Sequence, residues 1–276
     1  MYNSLLGTGR LLKTTDIMKK YLYFLFVPVM LALAFVSCSS DDDDDSVIEG
    51  RLKRLTYKTT RSNGQPSYSD GYFEFVYDLN GKINAIKCND KTLTFGPLKD
   101  GEREITWYNG HKLTLVDHKA DARYAEVLQD GVSIARAEYD KDGYLTTITN
   151  GSEVLMYGYS EGNMSYFYNE PDRYEYKYSG EKNDADIDLN YFIRLDPTPD
   201  KAYYCANYIE LGLGGKKSKN LIAEEKWPES LGFDYVYSYK KDSKGRLAEI
   251  TRVAQDRNNP GEWVDKCVIT VEYYEE

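Results

Sequence analysis

The residue with the most readily assigned chemistry is Cys38. It follows Met18-Lys19-Lys20, a sixteen-residue apolar run at residues 21–36, and Ser37. A basic start, an apolar core and small residues before a cleavage site are typical of a secretory signal peptide. Crossing a bilayer takes about 20 apolar residues, so the run is too short for a spanning helix. We predict cleavage before Cys38 and a diacylglycerol thioether on its sulfur.

This signal divides the chain into four parts. We interpret residues 1–17 as a non-native N-terminal extension and residues 18–37 as the lipoprotein signal peptide. Residues 38–47 then form a lipidated acidic tether, and residues 48–276 an all-β domain. Two acyl chains anchor a protein stably at ~0.8 kcal/mol per buried methylene, and an amide-linked palmitate would add a third. The expected location is the outer membrane, with contact through the lipid anchor only.

The residues after the lipidation site form a candidate export signal. They resemble the acidic signal that sends Bacteroidota lipoproteins across the outer membrane to the cell surface, and the resemblance implies surface exposure. A run of like charges also stays extended as a solvated linker, and the two interpretations are compatible. The seven residues are Ser39, Ser40, Asp41, Asp42, Asp43, Asp44 and Asp45.

Catalytic motifs are missing from the sequence. His111 and His118 are the two histidines, and their spacing on one predicted strand favours opposite faces. No Ser lies in a nucleophile-elbow motif. The enzyme alternative is an acid/base glycan hydrolase, which needs paired Asp or Glu carboxylates about 5 to 9.5 Å apart. We predict a non-enzymatic protein without a cofactor.

The segment from Asp184 to Asn190 places side-chain oxygens at every second position, as the first half of a Ca²⁺ loop does. Leu189 and Leu195 stand where the EF-hand glycine and bidentate glutamate belong. We therefore predict no metal site here. The aspartates are expected on the solvated face of a strand.

Aromatic residues leave a binding function open. Trp107, Trp227 and Trp263 lie at or near predicted loops, where they could stack on a sugar, although core anchoring suits large rings as well. Most of the 27 tyrosines are expected in cross-strand ladders. The sequence thus predicts a module that binds a glycan or a protein, or one with a structural role.

Charge and cysteine content exclude other classes. The formal net charge is −10, and an acidic domain lacks the cationic surface that neutralises nucleic-acid phosphates. Once Cys38 is lipidated, Cys88, Cys205 and Cys267 remain. Their odd number permits at most one internal disulfide, and their spacing does not choose the pair. No Cys-x-x-Cys is present for zinc or redox chemistry.

Regular turn signals predict the fold. Two-residue Asn-Gly and Asp-Gly signals suit type I′ hairpin turns, and runs rich in Tyr, Thr, Val and Ile separate them. We expect an all-β antiparallel meander of hairpins curled into a barrel-like sheet. The signals are Asn63-Gly64, Asp70-Gly71, Asn80-Gly81, Asp100-Gly101, Asn109-Gly110, Asp130-Gly131, Asp142-Gly143 and Asn150-Gly151.

A hairpin repeat supports this meander. Residues 75–86 align with residues 137–148 and, with two inserted residues, with residues 237–250, and one hairpin cannot bury its face alone. Thr198-Pro199-Asp200 is typical of a helix start, so we predict one short helix near residues 199–211.

Three segments carry a family resemblance: residues 211–221, Tyr235 to Tyr239 and Asp242 to Leu247. They resemble the Bacteroidota lipoproteins known as domain of unknown function 4595, described as having a porin-like β fold. Tyr-rich hairpins also occur in Rhs-type repeats. The resemblance implies a barrel-like sheet over residues 48–276 and no particular activity. Charges on both faces of the segment Arg246 to Ala254 favour a water-facing barrel over a membrane-inserted one.

Overall fold

The structure is a computed structural model that describes residues 49–64, 70–118, 122–195, 214–259 and 261–275. These residues form sixteen strands, a short α-helix (α1, Leu189–Arg194) and a 3-10 turn (η1, Glu229–Leu231). The strands are β1 (Leu52–Arg61), β2 (Gly71–Tyr77), β3 (Ile83–Cys88), β4 (Lys91–Phe95), β5 (Glu102–Thr106), β6 (Lys112–Asp117), β7 (Tyr124–Gln129), β8 (Val132–Tyr139), β9 (Leu145–Asn150), β10 (Glu153–Ser160), β11 (Asn163–Asn169), β12 (Asp172–Lys182), β13 (Asn220–Lys226), β14 (Phe233–Lys241), β15 (Leu247–Asp256) and β16 (Trp263–Tyr273).

The strands form a closed barrel. Each strand pairs with its neighbours in sequence, and β1 pairs with β16 to complete the sheet. Every pairing is antiparallel, including this seam, where Tyr57 lies opposite Ile269. Closure leaves no free edge among the sixteen strands. The predicted all-β antiparallel meander curled into a barrel is confirmed.

The hairpin turns follow two patterns. Asp100-Gly101 and Asp130-Gly131 have positive φ at both residues, as a type I′ turn requires. At Asn80-Gly81 and Asp142-Gly143 only the glycine has positive φ, at 69° and 86°. There the glycine N–H donates to the carbonyl three residues earlier, which is a type I turn closed by a left-handed residue. Of the eight predicted signals, only Asp100-Gly101 and Asp130-Gly131 have the expected type I′ geometry. At Asp70-Gly71 neither residue has a positive φ, and Gly71 is the first residue of β2.

The aligned repeats share a side-chain-capped turn. Asp78, Asp140 and Asp242 each accept hydrogen bonds from the backbone N–H groups two and four residues later, at 2.9 Å in every case. The inserted pair Lys240-Lys241 extends β14 by one full alternation of a strand, so it does not exchange the two faces.

The two faces of the sheet differ in polarity. Along β16, Cys267, Ile269 and Val271 point inward and are buried, and the residues between them are partly or fully exposed. The buried residues from all parts of the sheet belong to one apolar core. Sixteen strands would be enough for an aqueous channel, but here the inward side chains of the described residues pack into an apolar core.

The helix α1 lies within this core. Phe192 packs edge-to-face on Phe73 and Phe75, with centroids 5.4 and 5.0 Å away. Tyr57 Oη donates to the Phe192 carbonyl at 2.7 Å. Since β1 and β2 supply these wall residues and Arg252 of β15 reaches the helix end, the helix plugs the interior.

This helix corrects one prediction and leaves another open. Residues 183–188 form a bend instead of a strand, and Asp188 is buried at the N-cap of α1. An N-cap aspartate and a solvated strand aspartate look alike in sequence, which explains the error. The helix predicted near residues 199–211 lies outside the described residues.

Candidate functional site

The three tryptophans lie at one end of the barrel. Trp107 follows β5, Trp227 follows β13 and Trp263 opens β16, and the antiparallel pairings place these positions on the same rim. We call this rim the tryptophan end. Residues 49–51 lie at the opposite rim, where the Gly50 N–H donates to the Tyr274 carbonyl. We call that rim the tether end.

The tryptophans sit on different hairpins in different surroundings. Trp107 stacks with Tyr108 at 5.2 Å and packs on the core, so it fits the core-anchoring interpretation. Trp263 is 36% exposed beside the exposed Val264. The structure therefore brings the three residues to one end without joining them in a single site.

Trp227 belongs to a belt of aromatic rings at the tryptophan end. Its ring lies 5.3 Å from Tyr174 and 5.4 Å from both Phe233 and Tyr235. The belt continues through Phe167 and Tyr157, at centroid distances of 5.5 and 5.2 Å. Edge-to-face and tilted contacts at such distances are favourable. They hold the Trp227 ring in one position.

A groove of about 870 Å³ opens beside Trp227. We call it the rim groove. Its apolar lining comes from Trp227, Pro171 and Pro228. Its charged lining comes from three basic and three acidic residues, which are Arg173, Lys226, Arg257, Glu175, Glu229 and Asp234.

The charges of the rim groove form an alternating row. Glu175 lies opposite Lys226, which lies opposite Asp234, across three neighbouring strands. Arg173 Nε donates to Glu175 at 3.1 Å, and Arg257 Nε donates to Asp234 at 2.9 Å. Positive and negative side chains therefore alternate along the row Arg173, Glu175, Lys226, Asp234 and Arg257.

Asp234 makes the most hydrogen bonds described for this row. Two nitrogens of Arg257 donate to its carboxylate, and Arg257 also donates to the Trp227 carbonyl. The Trp227 N–H donates to Asp234 at 3.0 Å. The hydrogen bond from Arg257 lowers the pKa of Asp234 below its usual value. The carboxylate is therefore ionised at neutral pH and unsuited to donating a proton.

A second cleft, of about 710 Å³, lies at the tether end. Two ion pairs join residues of its lining: Arg51 Nη1 lies 2.8 Å from Asp186, and Lys241 Nζ lies 2.6 Å from Glu181. Unlike the rim groove, its lining includes no tryptophan.

The buried polar groups of the interior hold the helix in place. The Asp188 carboxylate accepts from Asn183 at 2.7 Å and from the Ser218 N–H at 2.9 Å. Burial raises the pKa of Asp188. At the other end of α1, Arg252 donates to the Arg194 carbonyl at 2.7 Å, which caps the helix C-terminus. These contacts stabilise the plug.

Glu225 forms a second buried contact between the wall and the plug. Arg194 Nε donates to it at 3.0 Å and Tyr237 Oη at 2.9 Å. Its two carboxylate oxygens are therefore both engaged by donors. The arrangement is structural.

The histidines and cysteines that the structure describes form no joint site. His111 precedes β6 and His118 follows it, where its ring stacks on Tyr124 at 4.5 Å. Cys88 and Cys267 are buried and outside any disulfide, and Cys205 lies outside the described residues. Among the described residues, no group of three or more His, Cys, Asp or Glu could hold a metal ion. In the same part of the chain, no helix is long and apolar enough to cross a membrane.

Comparison with solved structures shows the fold. A porin-like protein from Bacteroides uniformis matches with a TM-score of 0.56 and 16% identity, over 82% of this chain and 99% of that chain. A porin-like protein from Bacteroides vulgatus matches with a TM-score of 0.50 and 14% identity, over the same shares. At these identities the likeness establishes the barrel architecture alone. No family model matches the chain, and no curated protein matches it.

Proposed function

We propose that the protein is a lipid-tethered, water-facing barrel of the outer membrane. It acts as a non-enzymatic binding module instead of a channel. We further propose that it belongs to the family known as domain of unknown function 4595, in line with the resemblance of its last hairpins and with the barrel fold.

The polarity of the barrel carries this proposal. A membrane-spanning barrel has an apolar outer band and a polar interior, and this barrel has the reverse. Its outer face carries directly opposed ion pairs in mid-sheet, such as Lys87 with Glu74 at 2.5 Å and Lys177 with Glu224 at 2.8 Å. Its interior is an apolar core around α1. Neither surface suits a pore in a bilayer.

The lipid anchor supplies the membrane contact that the outer face does not. Cys38 is the predicted attachment point, and Ser39 to Asp45 are the proposed surface-export signal.

The rim groove supports binding more than hydrolysis. Retaining and inverting glycosidases need a carboxylic acid whose pKa is raised, whereas that of Asp234 is lowered. Glu175 is paired with Arg173. The two clefts found among the described residues both open at a rim of the barrel, which is where we expect a ligand to bind.

The test is to cleave the mature protein after Asp45 and to compare the released domain with the uncut lipoprotein. We expect the domain to be monodisperse without detergent and to produce no ion conductance in a planar bilayer. The uncut form should require detergent. Aggregation of the domain, or stepwise conductance, would contradict the proposal.

A further inference from the structure

We infer that the tryptophan end binds a partner protein whose contact surface is basic and carries apolar side chains. This inference deepens the proposed binding function and depends on it. It rests on the turns that join β7 to β8, β9 to β10, β11 to β12, β13 to β14 and β15 to β16, each taken with one strand residue on either side. We call these five turns the acidic arc. They comprise residues 129–132, 150–153, 169–172, 226–233 and 256–263.

The acidic arc carries an excess of negative charge. Seven of its residues are acidic and two, Lys226 and Arg257, are basic. Arg257 is already bound to Asp234, and Lys226 lies opposite Asp234 and Glu175 on the neighbouring strands. None of the seven carboxylates forms a salt bridge with another described residue. The seven are Asp130, Glu153, Glu170, Asp172, Glu229, Asp256 and Glu262.

Each of the five turns also presents an exposed apolar residue, either within it or at the next position. Exposed apolar surface bordered by polar groups marks sites of contact with other proteins. Successive turns are two strands apart, so at about 4.8 Å per strand the arc spans about 40 Å. This length suits a protein interface of the usual ~800 Å² per partner. In chain order the apolar residues are Val132, Val154, Pro171, Leu231 and Trp263.

The charge of the acidic arc decides the class of partner. Its carboxylates attract a cationic surface and repel an anionic one, such as a bilayer rich in anionic lipids. The exposed apolar residues lie among these carboxylates, so an approaching basic surface would meet both. Apolar side chains on the partner would then bury the apolar residues of the arc, and its Lys and Arg side chains would pair with the carboxylates.

The opposite rim supplies matched controls. Leu79 and Leu98 lie on the turns that join β2 to β3 and β4 to β5, and they are 88% and 58% exposed. Val132 and Leu231 of the acidic arc are 66% and 42% exposed. Replacing side chains as exposed as these changes folding stability little. A difference in binding between the two pairs of variants therefore reports where the partner binds.

The probe is a phage-displayed library of random peptides of about 12 residues, which span about 40 Å when extended. It is selected on the mature lipoprotein in nanodiscs of neutral lipid, and we expect the enriched peptides to combine Lys or Arg with apolar residues. The tightest peptide is then titrated by fluorescence anisotropy. The double variant Val132→Ser and Leu231→Ser should bind it about tenfold more weakly. The double variant Leu79→Ser and Leu98→Ser should bind it as the parent does.

A second set of variants tests the charge. Asp130→Asn, Glu170→Gln and Glu229→Gln together keep the side-chain sizes and remove three negative charges. This triple variant should bind about tenfold more weakly at low salt. Its affinity should also depend less on salt, because salt screens attraction between exposed charges. Replacing Asp41 to Asp45 with alanine is the control, and it should leave the affinity unchanged because this acidic run lies outside the arc.

The possible failures point to different errors. Absence of enriched peptides, or enrichment of acidic or purely polar ones, would overturn the basic partner. Equal losses in the two double variants, or a loss only in the alanine-run variant, would overturn the acidic arc as the site. Binding of the released domain to phosphatidylglycerol vesicles without insertion would identify a lipid partner instead of a protein. Insertion of that domain into a planar bilayer with stepwise conductance would refute the proposed function itself, so the two failures are distinguishable.

Discussion

Replacing Phe192 with alanine should lower the free energy of unfolding by about 3–5 kcal/mol. The phenyl ring is 1% exposed, and its edge-to-face contacts with Phe73 and Phe75 anchor α1 to the wall of the barrel. A buried Phe-to-Ala change loses both the transfer free energy and the packing of the cavity left behind. The loss should be near the upper value, because two aromatic pairs each add about 0.5–1.5 kcal/mol.

The measurement is urea unfolding of the mature chain from residue 38, with Cys38→Ala so that no lipid is attached. Tyr57→Phe adds a second test, since it removes the hydroxyl that donates to the Phe192 carbonyl and should cost about 1–3 kcal/mol. Leu79→Ala is the control, because Leu79 is 88% exposed and should change stability by less than about 0.5 kcal/mol. A loss below about 1 kcal/mol for Phe192→Ala would refute the idea that the helix is part of the cooperative core.

Three further predictions concern location and pH. Cys38→Ala should abolish incorporation of labelled palmitate, and Cys88→Ala should not, because Cys38 is the proposed lipid attachment point. Equal labelling of both variants would contradict the anchor. Replacing Asp41 to Asp45 with alanine should keep the palmitate label and remove the protein from the cell surface, as measured by protease shaving of intact cells; unchanged shaving would leave the acidic run as a tether only. Asp234→Asn should lower stability by about 1 kcal/mol at pH 7. Arg257 lowers the folded-state pKa of Asp234. The stabilising contribution of the ionised Asp234 carboxylate is therefore present above the unfolded-state pKa of 3.8, and it is lost as pH falls through the folded-state pKa. Unfolding curves at several pH values test this, and a loss that stays constant down to acid pH would refute the role of the charged pair.

The local parts of the fold could be predicted, because hairpin signals act over a few residues. Asp78 and Asp140 could be aligned from sequence, and each caps its turn in the same way. The turn type could not be assigned from Asn-Gly or Asp-Gly alone, since the same dipeptides fit both observed patterns. The seam between β1 and β16 could be expected only in outline, since it depends on the stagger of all sixteen strands.

The candidate site was partly visible in the sequence. Lys226-Trp227-Pro228 marked one wall of the rim groove, but nothing near it indicated Arg257, which reaches Asp234 from another hairpin. Asp188 was misassigned because local alternation favoured a strand, whereas the donors that bind its carboxylate include Ser218, far along the chain. Residues joined only by tertiary contacts leave no periodic signal.

The seam between β1 and β16 can form only after the last strand of the chain has been synthesised. It joins the first strand to the last, with Leu55 opposite Val271, so β1 stays unpaired on that side until nearly the whole chain has been made. Contacts between such distant residues slow folding. A chain cut short before β16 would leave β1 and β15 as open edges, each a template for a strand of another copy. Premature termination should therefore yield aggregates, and not a smaller barrel.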